Sequence, residues 1–121
     1  MATMNVEEFR AYCLSKIGVT EEFPFDEVTL VFKVSEKMFA LCSLERLPVQ
    51  INLKCDPERA ILLREEYESI IPGWHMSKRH WNTVFISNLD PAFTQELIDD
   101  SYNLVVSKLT KKQKMALGAL D

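Results

Sequence analysis

The sequence predicts an α+β domain with a two-layer α/β arrangement, in which helices cover one face of a five-stranded antiparallel sheet. Three observations carry that reading. Strand-like runs of alternating apolar and polar residues are joined by connections of only a few residues, which antiparallel neighbours allow and parallel ones do not. Apolar positions at helical spacing are confined to three segments, each opened by a capping signal. The resulting order, α-β-β-β-α-β-β-α, segregates helices from strands and lets them share one side of the sheet.

The first helix is announced by Asn5 and Glu8, spaced as a capping box, with Val6, Phe9, Cys13 and Ile17 recurring on one face until Gly18 supplies a stop. A linker, VTEEFPFDE, leads to three strand-like runs, VTLVFKV, KMFALCSL and PVQINLK. In the last of these Val49, Ile51 and Leu53 alternate with Gln50, Asn52 and Lys54. Ser35-Glu36 and the stretch from Glu45 to Pro48 are short joints, so the three runs form a meander.

Asp56 is placed to cap a second helix with Pro57 at its first position and Ala60, Leu63 and Tyr67 on one face, ending near Pro72-Gly73. The segment PGWHMSKRHWNTV then reads as a hairpin: His75 to Lys78 extended, a turn around Arg79 and His80, and WNTVFIS as the return strand. Its alternation sets Trp74, Met76 and Lys78 against His75 and Ser77. Asp90-Pro91 repeats the helix-start signal for a long third helix carrying Leu97, Ile98, Tyr102, Val105 and Leu109, and the tail TKKQKMALGALD is left as a short turn or frayed end.

With 121 residues, 47% hydrophobic and 26% charged, the chain reads as a single domain spanning residues 1–121. No apolar run approaches the roughly 20 residues of a membrane helix, and the acidic start lacks the features of a signal peptide, so a cytoplasmic location is expected. Cys13, Cys42 and Cys55 stand singly in apolar surroundings and read as buried reduced thiols.

The formal net charge of −4 argues against a surface that attracts polyanions everywhere. Its distribution is uneven. Ser69 to Leu89 contains no Asp or Glu but does contain Lys78 and Arg79, and a second basic cluster, Lys108, Lys111, Lys112 and Lys114, follows near the end. Acids gather at Glu7, Glu8, Glu21, Glu22, Asp26 and Glu27, and again at Glu65, Glu66 and Glu68.

Enzymatic motifs are scarce. His75 and His80 lack the paired ligands of a zinc site, Cys55 has no base and orienting acid fixed beside it, and the three glycines form no phosphate cradle. No cofactor or metal is expected, nor an enzymatic activity. The hairpin admits two readings: Trp74 and Trp81 anchor it while Lys78, Arg79 and His80 form an ordinary solvated turn, or the turn is a basic tip that follows a phosphate backbone.

NLKCDPE (Asn52 to Glu58), PGWHMSKRHWNTV (Pro72 to Val84) and LIDDSYNLVV (Leu97 to Val106) resemble the MmcQ/YjbR family of small bacterial proteins, over a stretch from about Asn5 to Lys112. The resemblance implies a two-layer α/β fold, like secretion chaperones in broad architecture, and DNA binding through a double wing of hairpins. By position the wings would be the turns at Ser35 to Met38 and Lys78 to His80, the first carrying Lys33 and Lys37 but also Glu36.

The expected function is therefore that of a non-enzymatic DNA-binding monomer. Lys37, Lys78, Arg79, His80 and Asn82, with Lys111 and Lys112, are the candidate contacts. The alternative is a protein- or peptide-interaction module using the sheet face or the Trp74/Trp81 neighbourhood. A cleft enzyme using His75, His80 and Cys55 is the third reading.

Overall fold

A computed structural model of the chain describes residues 3–74 and 76–118. Helix α1, Val6–Leu14, begins with the expected capping box: the Glu8 N–H donates to Asn5 Oδ1 at 2.8 Å and the Asn5 N–H to Glu8 Oε1 at 3.1 Å. Phe9 and Cys13 are buried, whereas Ile17 lies past the helix end and is exposed. Gly18 makes the turn with φ of +75° and packs so closely on Leu117 that a side chain would collide with it.

The sheet is six-stranded, in the order β1-β2-β3-β4-β6-β5: β1 is Val19–Glu22, β2 Thr29–Val34, β3 Lys37–Ser43, β4 Gln50–Lys54, β5 Ile70–Pro72 and β6 Trp81–Phe85. All neighbouring pairs are antiparallel. The sixth strand, β1, lies in the segment read as a linker. Its four residues are too short for periodicity to register, and backbone pairing of Val19 with Val34 through Glu22 with Val31 holds them in place. Ser35 and Glu36, both with positive φ (48° and 65°), form the tight turn between β2 and β3.

Helix α2, Pro57–Glu66, is capped by Asp56 and ends earlier than its apolar pattern suggested, because Ile70–Pro72 leaves to pair with β6 as β5. The predicted hairpin therefore exists, but its first strand precedes Gly73. Met76 to Lys78 is not a strand, and the reading of His75 as the strand's start lies outside the described residues. Helix α3, Pro91–Ser107, carries the Asp90 cap, and the tail forms helix α4, Lys111–Leu117, closed by a Thr110/Gln113 capping box.

Helices α1 and α3 cover one face of the sheet, where Phe9, Phe32, Phe39, Ile51, Ile98 and Val105 lie in the main core. At one end β3 and β4 part after the Ala40–Leu53 pair. Ser101 of α3, fully buried, fills the gap: its hydroxyl donates to the Phe39 carbonyl at 2.5 Å and accepts the Lys54 N–H at 2.9 Å. Among the described residues no helix lies on the opposite face. There Val31, Leu41 and Trp81 form a second, smaller cluster covered by Met38 and Met76.

Candidate nucleic-acid interface

Antiparallel register determines which candidate residues meet. The Ser35-Glu36 turn closes the Val34–Lys37 pair at the start of β3, and Lys54 pairs with Trp81 where β4 ends and β6 begins. The two predicted wings thus sit at the same end of the sheet.

The second wing is tied down by main chain. The Trp81 N–H donates to the Ser77 carbonyl at 3.0 Å, closing a turn over the expected residues, and the His80 carbonyl accepts the Cys55 N–H at 2.8 Å. Arg64, on α2, reaches into this turn. Its guanidinium donates to the carbonyls of Lys78 and Trp81 and, at 2.7 Å, to Asn82 Oδ1. Lys78 is exposed, with its ammonium 3.2 Å from the Gly73 carbonyl; Arg79 is exposed, and His80 is half-buried.

Asn82 does not join these side chains. It is 2% exposed and accepts Arg64 on the helix-covered side, so it stabilises the turn from within. Thr83 is equally committed: its hydroxyl donates to Asn52 Oδ1 at 2.5 Å and accepts the Trp74 N–H at 2.8 Å.

Lys54 extends the basic end, a role its place in an alternating strand does not advertise. Partial burial lowers its pKa, and the nearby positive charges of Lys108 and Lys37 lower it further. Lys111 and Lys112 are exposed on α4, whose Leu117 packs beside Gly18 and Val34 next to the first turn. Glu36 at that turn's tip and Asp56 at the α2 cap are acids on the same end.

Cys55 lies in the main core, and burial pushes its thiol pKa up; Cys13 is raised in the same way and Cys42 to about 11. Thiols so held are protonated and poorly nucleophilic. Among the described residues no group of three or more His, Cys, Asp or Glu side chains is placed to hold a metal ion, and no helix is long and apolar enough to cross a membrane.

Fold and site together define a helix-backed antiparallel α+β domain with one basic end. The YjbR family model matches residues 14–104, and the chain belongs to the YjbR family. It is 42% identical over 93 residues to Uncharacterized protein YbdF of Escherichia coli O157:H7, a match covering 76% of each chain. It is 31% identical over 119 residues to Uncharacterized protein YjbR of Escherichia coli strain K12, covering 97% of this chain and 100% of that one. Among solved structures, the crystal structure of Deinococcus radiodurans protein DR2400 superposes with a TM-score of 0.89 at 39% identity, over 94% of this chain and 88% of that one. A crystal structure of a Pseudomonas syringae protein superposes with a TM-score of 0.72 at 30% identity, over 84% and 98%.

Proposed function

We propose that this chain is a non-enzymatic, cytoplasmic monomer that binds nucleic acid, DNA in the first instance, through the basic end of its sheet. Lys37, Lys54, Lys78, Arg79, Lys108, Lys111 and Lys112 supply positive charge to the phosphate backbone, with His80 beside them as a hydrogen-bonding side chain. The observation that carries this reading is the register that brings Lys37 at the start of β3, Lys54 at the end of β4 and the turn with Lys78 and Arg79 before β6 to one end of the sheet. Cations gathered at one end attract a polyanion locally even where the net charge is negative.

The contact is weak and governed by salt, because an overall charge of −4 opposes association at long range. If about three to five phosphates are neutralised, log affinity falls with log salt at a slope near −3 to −4, each phosphate contributing about 0.9. Fluorescence anisotropy with a short mixed-sequence duplex tests this. Replacing Lys78 and Arg79 by Ala should reduce the slope by about two. A complex indifferent to salt, or one that the double substitution leaves unchanged, contradicts the proposal.

A further inference from the structure

The helix-free face, toward the end of the sheet away from the two turns, has the opposite chemistry. On the helix-free face a groove of about 700 Å³ opens between three connections, lined among others by Phe25, Asp26, Leu41, Arg46, Asn52 and Trp74. That volume lies within the range of about 300–1,000 Å³ typical of ligand clefts. Of the exposed large apolar residues, Phe25 and Trp74 line it, Trp74 from the connection that also carries the second turn, and Phe23, Leu44 and Leu47 stand in the connections after β1 and β3 that supply its other walls. Scattered apolar residues on a surface need no explanation, but several bordering one concavity mark a contact site.

The groove's charge selects among occupants. Asp26 and Glu45 line it, and among the described residues the one lining cation, Arg46, stacks on the Trp74 ring with its guanidinium carbon 4.9 Å from the centroid. Asp26 stays ionised, since the Val28 and Thr29 N–H groups both donate to it and hold its carboxyl below the ordinary carboxylate range. A polyanion would meet two carboxylates here, whereas a cationic side chain would be drawn in. Ser43 and Gln50 add hydrogen-bonding side chains to the floor and wall.

The groove runs across the strands, from Thr29 on β2 past Ser43 on β3 and Asn52 on β4 to Trp74, which hangs over β6 through its hydrogen bond to Thr83. Three inter-strand gaps of about 4.8 Å make roughly 14 Å, the length of about four residues of extended chain at about 3.3 Å each. We propose that this groove docks an extended peptide segment of a partner protein, one in which apolar side chains alternate with lysine or arginine. The apolar side chains bind Trp74, Phe25 and Leu41, and the cation faces Glu45 and Asp26. Trp74 and Met76 precede the second basic turn in the same connection, but the acidic wall of the groove lies at the other end of the sheet, and the docking does not depend on nucleic-acid binding.

The test is an amide and indole NMR titration of the full chain with three probes: a short capped peptide alternating phenylalanine with lysine, the same peptide with glutamate for lysine, and oligothymidylate. The lysine peptide is expected to shift Ser43, Gln50, Asn52 and the Trp74 indole. Glu45→Lys should weaken it about fivefold through charge alone, and Trp74→Ala about tenfold. Glu45 is exposed at a loop, so its variant folds whatever happens to the aromatic one. Equal binding of the glutamate peptide, the absence of shifts at these residues, or their displacement by oligothymidylate instead would each overturn the proposal.

Discussion

The two ends of one sheet use their polar groups differently. At the basic end the main chain is bound tightly, by Arg64 on three oxygens of the turn and by Ser101 between two strands, while the charges themselves stand on long side chains reaching outward. At the other end the loops after β1 and β3 carry exposed aromatic and aliphatic groups, and Arg46 rests on the ring of Trp74 across the helix-free face. A rigid platform with mobile cations suits a partner recognised by charge. An apolar concavity with a few fixed acids suits one recognised by shape.

The comparison is sharpest in the two tryptophans, which the sequence presents as equivalents. Trp81, 7% exposed, anchors the helix-free cluster with Val31 and Leu41. Trp81→Ala should destabilise the fold by about 3–5 kcal/mol in denaturant unfolding. Trp74, 48% exposed, should cost less than about 1 kcal/mol when replaced by Ala. Similar losses at both positions would mean that the groove wall is part of the core.

Arg64→Ala comes next, at about 1–3 kcal/mol, because it strands the buried Asn82 oxygen and frees the second turn. Raised hydrogen exchange confined to residues 77–82 is the accompanying sign. Glu36→Gly acts in the other direction. It relieves about 1–2 kcal/mol of left-handed strain against about 0.4–1 kcal/mol of added unfolded-chain freedom, for a net gain of up to about 1 kcal/mol, and it removes a carboxylate from the basic end, so duplex binding should tighten in the same variant.

The smallest effect is a pH effect at the groove. The Asp26 carboxyl is held below its unfolded value of about 3.9 by the Val28 and Thr29 N–H groups, so its contribution is complete above that value and is lost as pH falls through the lower folded one. The Val28 and Thr29 amide signals should therefore titrate with a midpoint below about 3.9, and Asp26→Asn should abolish that step.

What the sequence made legible follows from where local signals are strong. The Asn5, Asp56 and Asp90 caps, the Ser35-Glu36 turn and the alternation of β4 are short-range features, and each stands where its residues placed it. The family resemblance also led to the right family. Strands β1 and β5 were hidden because four and three residues leave no period to read, and because pairing with β2 and β6 is a long-range event. The same limit applies to the site. Lys78 and Arg79 are visible as a basic turn, but that Lys54 and Lys108 join Lys37, and that Asn82 faces inward to Arg64, depends on register and on the packing of α2 and α3. The groove was visible only as an alternative involving the tryptophan neighbourhood, since its wall is assembled from three connections distant in sequence.

The most direct test of the central claim is amide shift mapping of the labelled chain with a short mixed-sequence duplex, at low and at near-physiological salt. Shifts at Ser35 to Met38, Lys54, Ser77 to Trp81 and Lys108, shrinking as salt rises and leaving Ser43 and Gln50 unmoved, are the predicted result. A duplex that moves nothing at low salt, or that moves the groove and leaves the basic end still, would contradict it.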